Sequence, residues 1–351
     1  MYRLVQRRGI IGLFCLLFVA SSVVPGWAQK DNRFEVSKNL DIFNSLLKEV
    51  EMFYVDSVDV DKTVQRGIEA MLAGLDPYTE YYPEQKTEEL SLMTTGEYGG
   101  IGSLIRQRNN EGGVMIAEPT EGMPADLAGL KPGDLILAID TIDVSKATNS
   151  RVSELLKGVP NTKMVLTIQR PGEKKPRKFE ITRKQITTPQ VTYYGVKNDS
   201  IGYIYLKAFT IKSAQEVKEA FLDLKKNHNI KSLVLDLRGN GGGVLEGAVQ
   251  IVGMFVPKGS EVLSTKGKIK QWDRTYRTST EPLDTVMPLA ILINGGTASA
   301  AEIVSGSLQD MDRAVLVGQR SFGKGLVQAP RDLPYNGKVK ITMSKYYIPS
   351  G

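Results

Sequence analysis

Ser299 and Lys324 are the two side chains in this chain of 351 residues whose types and spacing suit nucleophilic catalysis. Ser299 lies at the start of an amphipathic pattern, 298–311, that predicts a helix and follows a short apolar run, 288–294, that predicts a buried strand. Backbone N–H groups at a helix start have no partner inside the helix, so they can stabilise an oxyanion that forms beside the hydroxyl. Lys324 lies further along the chain between two glycines. We therefore predict that Ser299 is a nucleophile and that Lys324 is its general base.

Composition leaves lysine as the available base. The chain contains one histidine, His228, in a polar turn typical of a solvated loop, and one cysteine, Cys15, in an apolar segment near the start. A Ser-His-Asp triad and a zinc site are therefore disfavoured, and we expect no metal. Because a free lysine has a pKa of about 10.4, Lys324 requires burial that lowers its pKa by roughly 3 units. The flanking glycines, Phe322 and Leu326 suit such burial.

A second glycine-rich loop, 236–243, follows another predicted buried strand, 232–237, and precedes a predicted helix, 246–255. Strands that alternate with helices make the C-terminal half α/β. The loop lacks the Gly-x-Gly-x-x-Gly spacing of dinucleotide-binding loops. We therefore favour a role as oxyanion-hole donor near Ser299 over phosphate binding.

Two further motifs near Lys324 suggest other chemistry. Residues 318–324 match the first seven positions of a P-loop, but Gly325 stands where a P-loop has the hydroxyl that holds magnesium, and prolines follow. Ser321 and Lys324 spell Ser-x-x-Lys, but the neighbouring glycines oppose the helix on which penicillin-recognising enzymes carry that pair. Both motifs are therefore weaker evidence for function than the pairing of Ser299 with Lys324.

Residues 1–28 have the composition of a secretory signal peptide. Three arginines precede an apolar run, 10–24, that is short for a membrane span, and the small residues Gly26 and Ala28 suit a cleavage site. An uncleaved membrane anchor is the alternative, and only then do we expect contact with a membrane. The segment holds three of the 45 basic residues and no acidic one, so its removal lowers a net charge that is only +6. That balance does not favour nucleic acid binding.

The rest of the chain predicts three parts. Residues 29–95 contain two amphipathic helices, one over 39–54 and a second capped by Asp61, and we interpret them as a helical segment that covers another part of the protein without a catalytic role. Residues 96–187 consist of short strands and glycines. Residues 188–351 form the α/β part that contains the predicted nucleophile.

A Gly-Ile-Gly loop leads into a predicted strand near the start of residues 96–187, and a Leu-Lys-Pro-Gly-Asp run follows later in the same part. These features resemble a PDZ domain. The free N–H groups of such a loop receive the terminal carboxylate of a peptide, whose backbone pairs with the strand edge. Gly100, Ile101 and Gly102 are therefore candidate peptide-binding residues. A PDZ-shaped spacer with a blocked groove is the alternative.

The order of the parts resembles the carboxyl-terminal processing peptidases, also called tail-specific proteases, over nearly the whole chain after residue 28. The runs that carry the resemblance are Leu-Asp-Pro-Tyr at 75–78, Asp-Leu-Arg at 236–238, Gly-Thr-Ala-Ser-Ala-Ala-Glu at 296–302 and Ser-Phe-Gly-Lys-Gly-Leu-Val-Gln at 321–328. The resemblance implies a multidomain protein with an N-terminal helical segment, a PDZ domain and a crotonase-like α/β peptidase core. Relatives continue past the end of this chain, so its C-terminal part is expected to be truncated.

The same resemblance implies roles for individual residues. It makes Ser299 the nucleophile, Lys324 the general base and Gln328 the residue that orients the lysine. The oxyanion hole is expected from the N–H of Ala300 and of a glycine in the 236–243 loop, with Gly241 and Gly242 both open. No metal or organic cofactor is implied.

Together these features predict a periplasmic or secreted serine endopeptidase that cleaves protein substrates near their C-termini. The PDZ domain would bind exposed nonpolar tails, and an adaptor protein is a possible further partner. The alternative from a different class is a catalytically inactive PDZ scaffold that binds protein C-termini.

Overall fold

The computed structural model describes residues 32–108 and 112–351. The predicted signal segment, 1–28, and Cys15 within it lie outside the described residues. The helices are α1 (Arg33–Phe53), α2 (Val60–Ala73), α3 (Thr87–Thr95), α4 (Pro124–Leu127), α5 (Asn149–Leu156), α6 (Ser213–Asn227), α7 (Leu245–Gly253) and α8 (Ala300–Asp310). The strands are β1 (Glu80–Tyr82), β2 (Glu97–Gly100), β3 (Ser103–Gln107), β4 (Val114–Pro119), β5 (Leu135–Ile139), β6 (Ile142–Asp143), β7 (Lys163–Gln169), β8 (Arg177–Thr182), β9 (Lys184–Thr187), β10 (Val191–Lys197), β11 (Ile201–Leu206), β12 (Ser232–Asp236), β13 (Glu261–Gly267), β14 (Arg274–Arg277), β15 (Leu289–Ile293), β16 (Val315–Gly318), β17 (Leu326–Asp332) and β18 (Lys338–Tyr347).

The described chain divides into two compact units, with the boundary between residues 67 and 68. In the first unit, α1 forms where the apolar spacing predicts a helix, and every one of its residues is at least partly exposed. None of the helices within 32–108 and 112–351 is long and apolar enough to cross a bilayer.

The prediction that Asp61 caps the second helix is wrong. Asp59 Oδ1 accepts a hydrogen bond from Lys62 N at 3.1 Å. An N-cap side chain bonds the N–H of the second or third helical residue, and α2 begins at Val60, so Asp59 occupies the capping position and Asp61 lies in the first turn.

The part that resembles a PDZ domain is built around a six-stranded sheet. Five strands follow the order β3-β4-β5-β7-β8, and β6 pairs with β5. In β7, every second side chain is buried (Met164, Leu166 and Ile168), as the period of a strand with one face on a core requires. Strand β3 lies at the edge of this sheet, and Thr148 Oγ1 caps α5 by accepting from Arg151 N at 3.4 Å.

The C-terminal part confirms the α/β prediction. A five-stranded sheet has the order β10-β11-β12-β15-β16, in which β11, β12, β15 and β16 are parallel and β10 pairs antiparallel at one edge. Helices α6, α7 and α8 share one apolar core with this sheet. The largely apolar runs in β12 and β15 are typical of parallel strands that are covered on both faces.

A second sheet in this part has the order β1-β18-β13-β14, with β17 paired to β18. Its first strand, β1, comes from the segment just before residue 96 and aligns Glu80 with Lys340 and Tyr82 with Lys338. Lys340 of the long strand β18 therefore pairs with a residue 260 positions earlier in the chain. This pairing brings the turn before β1 into contact with Lys324.

Candidate active site

Ser299 and the glycine-rich loop lie at the same edge of the parallel sheet. The loop follows β12, Ser299 follows β15, and these strands are neighbours with Leu235 opposite Ile291. The carboxyl ends of adjacent parallel strands are where α/β proteins place their functional loops. Two bonds fix the two loops together: Ala298 N donates to Asn240 O at 2.9 Å, and Thr297 Oγ1 donates to Leu237 O at 2.8 Å.

The backbone of Ser299 has φ 56° and ψ −118°, an arrangement that L residues seldom adopt. It lies directly before α8, as the strand-turn-helix pattern predicts. Such conformations cost of order 1–3 kcal/mol and persist only where the surroundings fix them. The contacts around Ser299 therefore hold it in a strained backbone conformation, and strained residues of this kind cluster at functional sites.

The side chain of Glu302 holds both Ser299 and the loop that carries Lys324. Its Oε2 accepts from Ser299 N at 2.8 Å and from Lys324 N at 2.9 Å. Its Oε1 accepts from Ser321 Oγ at 2.7 Å and from Gly323 N at 2.6 Å. One carboxylate thus receives four hydrogen bonds, and hydrogen bonds to charged acceptors are the stronger ones.

Tyr346 makes a second link between the same two residues. Its hydroxyl donates to Lys324 O at 2.8 Å and lies 3.3 Å from Ser299 O. Burial raises the pKa of Tyr346, and the negative charge of Glu302 raises it further, so the hydroxyl keeps its proton and stays a donor.

The amino group of Lys324 lies over the ring of Tyr78, with Nζ 4.3 Å from the ring centroid. Burial lowers the pKa of Lys324, the positive charge of Lys340 lowers it further, and the acidic groups of Glu80, Asp76 and Glu302 act in the opposite direction. The direction is the one that a lysine base requires. The expected shelter by Phe322 is wrong, because that side chain is 58% exposed.

Gln328 lies on β17 and points into the same cavity as Lys324. Its Nε2 donates to Thr342 Oγ1 at 3.0 Å. Among residues 32–108 and 112–351, no hydrogen bond joins Gln328 to Lys324, or the Ser299 hydroxyl to the Lys324 amine. The dyad predicted from the sequence shares one cavity but is not hydrogen-bonded in this arrangement.

The two candidate glycines for the oxyanion hole differ in their geometry. Gly242 N donates to Asn240 Oδ1 at 2.9 Å, and Gly242 has φ 94°. An added Cβ at Gly242 would lie 2.8 Å from Ser299 Cβ and 2.9 Å from Ala300 N, so the loop approaches Ser299 closely there. Gly241 N and Ala300 N donate to no acceptor in the described part of the chain.

A cavity of about 620 Å³ joins these residues. Ser299, Ala300, Lys324 and Gln328 line it together with the 241–246 loop. Most of the other lining side chains are apolar: Leu90, Met93, Val244, Leu245, Ile303, Leu326, Val327 and Tyr346. The space can hold an extended peptide segment beside the serine, and its walls favour nonpolar side chains.

The structure does not bring the other candidate residues to the cavity in an active role. His228 lies at the end of α6, half-exposed, with Asp223 3.8 Å away. The hydroxyl of Ser321 donates to Glu302, which makes it part of the support rather than a nucleophile. Ser305 donates to Ala301 O at 2.9 Å, one turn back, as expected for a helical serine.

The loop predicted to bind peptide carboxylates is present in the PDZ part. Ile101 and Gly102 are buried, and neither of their N–H groups has an acceptor among the residues that the structure describes. Gly102 has φ 67°, and an added Cβ would lie 2.4 Å from Met123 Cβ. Gly100 belongs to β2, opposite Lys184 of β9, so it leads into the loop rather than forming its tip.

Sequence reasoning missed several residues that contact the pair. Glu302 carries a readable signal, because Ser299 and Glu302 have the Ser-x-x-Glu spacing of a capping box. The carboxylate half of that box is present in the bond to Ser299 N. Tyr78 falls in the Leu-Asp-Pro-Tyr run at 75–78, but no local pattern indicates its contact with Lys324 or that of Tyr346, since both depend on strand pairing between distant segments.

Comparison with known proteins identifies the class. The profile of peptidase family S41 matches residues 200–351, and that of the PDZ domain matches residues 115–170. A carboxy-terminal-processing protease of Bartonella bacilliformis is 36% identical over 339 residues, which cover 96% of this chain and 76% of that protein. A probable CtpA-like serine protease of Staphylococcus aureus is 33% identical over 317 residues, covering 89% of this chain and 62% of that protein. The chain therefore spans between three fifths and about three quarters of these relatives.

A solved structure of a photosystem II D1 C-terminal processing protease is 29% identical, covers 88% of both chains and superposes with a TM-score of 0.48. The assignment rests on the sequence matches. The chain belongs to peptidase family S41, the serine peptidases that include the carboxy-terminal-processing proteases, and it carries their PDZ domain. This confirms the resemblance found in the sequence.

Proposed function

We propose that this chain is an endopeptidase that cleaves protein substrates near their C-termini, with Ser299 as nucleophile and Lys324 as general base. The observation that carries the proposal is the shared support of the two residues. Ser299 N and Lys324 N bond to the same oxygen of Glu302, and both side chains line one cavity. A serine that only caps a helix does not require the loop that carries Lys324 to bond the same carboxylate.

In the proposed reaction, the uncharged amine of Lys324 takes the proton of the Ser299 hydroxyl as the oxygen attacks a peptide carbonyl. The C–N bond of the substrate breaks, the proton passes to the leaving amine, and water then hydrolyses the acyl-enzyme. Because the amine rests on Tyr78, the side chain of Lys324 must rotate toward Ser299 before this step.

For the oxyanion we infer the N–H groups of Ala300 and Gly241. Ala300 N is at the start of α8, where helical N–H groups lack partners, and the helix dipole favours negative charge. Gly241 is favoured over Gly242 because the N–H of Gly242 already bonds Asn240. Gly242 then serves through its small size, which permits the loop to approach Ser299.

For the substrate we infer a protein with a nonpolar C-terminal tail. The unbonded N–H groups of Ile101 and Gly102 suit the terminal carboxylate, and the edge of β3 suits pairing with the tail backbone. The composition of residues 1–28 supports export of the chain to the periplasm or its secretion. An adaptor and membrane attachment through that segment stay predictions.

The test is cleavage of an unfolded protein that ends in a nonpolar tail. Ser299→Ala and Lys324→Ala should each abolish cleavage, while His228→Ala should cleave at the wild-type rate because His228 lies away from the cavity. Equal turnover by Lys324→Ala and wild type would exclude the base assignment. Tail binding without any cleavage would favour the inactive PDZ scaffold.

A further inference from the structure

A turn of four residues, Asp76 to Thr79, precedes β1 and contacts Lys324, one of the residues that line the cavity. Asp76 Oδ1 accepts from Tyr78 N at 2.8 Å and from Thr79 N at 2.9 Å. Burial acts to raise the pKa of Asp76, but these bonds and the one from the Thr79 hydroxyl hold it below its usual value. The turn is therefore organised around an ionised carboxylate.

One side chain of this turn contacts Lys324. The ring of Tyr78 is the group over which the Lys324 amine lies, and that amine has no hydrogen bond or ion pair with the described residues. A ring face attracts an ammonium by about 0.5–1 kcal/mol where water has access. The same ring also keeps water from the amine, which favours its neutral form.

Another side chain of the turn reaches Gln328 through Thr342. Thr79 is 4% exposed, and its Oγ1 accepts from Thr342 N at 3.1 Å and lies 3.3 Å from Thr342 Oγ1. Thr342 Oγ1 in turn accepts from Gln328 Nε2 at 3.0 Å. A continuous chain of hydrogen bonds thus runs from Asp76 to Gln328.

The direction of the protons in this chain follows from its first member. An ionised carboxylate can only accept, so the hydroxyl proton of Thr79 points to Asp76 Oδ2 at 2.9 Å. The hydroxyl of Thr342 faces both Thr79 Oγ1 and the Asp76 carboxylate, and a proton directed to either acceptor leaves Thr342 Oγ1 to accept from the NH₂ group of Gln328. The carbonyl oxygen of Gln328 is consequently directed away from Thr342, and it bonds to no described residue.

We propose that the Asp76–Thr79 turn positions the general base from two sides. Tyr78 holds the Lys324 amine in the cavity, and Thr79, through Thr342, makes the carbonyl oxygen of Gln328 the acceptor that receives an N–H of Lys324 as the amine moves to Ser299. The proposal rests on the proposed role of Lys324. Under this proposal, part of the segment 29–95, for which the sequence predicts no catalytic role, positions the general base.

The first experiment removes the Thr79 hydroxyl from the full chain. Thr79→Val should lower kcat for cleavage of a tailed peptide about tenfold while KM changes less than about twofold, since one hydrogen bond that orients the base is lost. Thr79→Ser keeps the hydroxyl and should restore kcat to within about threefold. If Thr79→Val has the wild-type Tm and the wild-type kcat, the hydrogen-bond chain has no positioning role.

Thr342 supplies the same test should Thr79→Val fail to fold, because Thr342 is less buried. Thr342→Val should lower kcat with KM unchanged, and Thr342→Ser should restore it. Equal kcat for these two variants would overturn the proposal.

The second experiment concerns the ring of Tyr78. Tyr78→Ala removes the attraction of the ring for the ammonium but also admits water to Lys324. Burial is the largest cause of the lowered pKa of Lys324, so the gain of water dominates, the pKa of the amine rises and the acid limb of kcat/KM moves to higher pH. Tyr78→Phe keeps the ring and should keep the wild-type profile. The other charged or titratable groups that face Lys324 are the same in both variants: Asp76 and Glu80 before and in β1, Glu302 in α8, and Lys340 and Tyr346 in β18. An identical acid limb in Tyr78→Ala and Tyr78→Phe would refute the Tyr78 part.

The outcomes separate this proposal from the proposed function. Absence of cleavage by the wild-type chain, with tail binding intact, argues against the function itself. Cleavage by the wild type that depends on Lys324 but is insensitive to Thr79→Val and Tyr78→Ala overturns only the role of the turn. A fluorescent tail peptide should bind all the variants with equal affinity, because none of the substitutions touches the PDZ loop.

Discussion

The backbone amides of Ser299 and Lys324 donate to one and the same oxygen, Oε2 of Glu302. The proposed nucleophile and its proposed base are thereby held at a fixed backbone separation by a side chain to which no chemical step is assigned. Tyr346 repeats the link on the carbonyl side of both residues.

Glu302→Gln should lower kcat on the order of tenfold to a hundredfold and destabilise the fold by about 2 kcal/mol, because an amide cannot accept on both ends and loses the charge that strengthens the bonds. Thermal unfolding and peptide cleavage measure the two effects. Glu154→Gln is the matched control, since Glu154 is exposed and pairs with Arg151 on the surface of α5. Wild-type kcat in Glu302→Gln would show that the shared oxygen is irrelevant to the reaction.

The pH dependence of cleavage should follow Lys324. A base acts only when neutral, so kcat/KM should rise with pH through the pKa of Lys324, which burial and the charge of Lys340 hold below its ordinary value of 10.5. Lys340→Met removes that charge and releases Glu80 from its ion pair. Both changes favour the ammonium form, so the acid limb should move to higher pH.

The control for this shift is Lys338→Met, which removes another lysine of β18, a half-buried one that is paired with Asp332 of β17. Its pH profile should match the wild type. A shift to lower pH in Lys340→Met would contradict the assignment of Lys324 as the titrating base.

The strained backbone of Ser299 should separate stability from activity. Ser299→Gly and Ser299→Ala both lack the hydroxyl and should both be inactive. Glycine adopts φ 56° without a steric penalty, whereas alanine does not, so Ser299→Gly should be more stable than Ser299→Ala by about 1 kcal/mol. Chemical denaturation of the two variants measures the difference, and equal stabilities would mean that the strain is absent in solution.

The glycine loop offers a matched pair of substitutions. An added Cβ at Gly242 would lie 2.7 Å from Ala298 O, whereas one at Gly241 meets nothing within 4 Å. Gly242→Ala should therefore lose most activity and at least about 2 kcal/mol of stability, while Gly241→Ala keeps its N–H and should retain both. Measurements of Tm and kcat for the two variants test this difference. Comparable losses in both would show that Gly242 is not the point at which the loop approaches Ser299.

Tail recognition should depend on the terminal carboxylate. A peptide with an amidated C-terminus should show a KM raised about tenfold with kcat little changed, because the N–H groups of Ile101 and Gly102 lose a charged acceptor. A peptide with the same cleavage sequence and no nonpolar tail serves as the comparison. Equal KM for the amidated and free peptides would exclude carboxylate capture by this loop.

Local patterns were enough to predict the parts of the site that depend on adjacent residues. The apolar run of β15, the following turn and the helical spacing of α8 predict a serine at a strand-to-helix turn, and the structure has that arrangement. The same holds for the loop after β12. Glu302 could have been recognised from its capping-box spacing, because it lies three residues from Ser299.

The rest of the site depends on contacts that no local pattern encodes. Thr79 and Thr342 are 263 residues apart in the sequence, and they meet because β1 pairs with β18. The three residues of β1 are too few to show a strand period, so the sequence pattern predicts only a segment that covers another part of the protein. Its turn is in fact in contact with Lys324, and Phe322, the expected shelter, is exposed.

The position of Tyr346 in β18 has a consequence for how the protein is made. A nascent chain that has emerged only as far as Lys324 lacks the Tyr346 hydroxyl, which links Lys324 to Ser299. It also lacks β18, the strand with which β1 pairs. Both contacts can therefore form only after residues 338–347 have been synthesised.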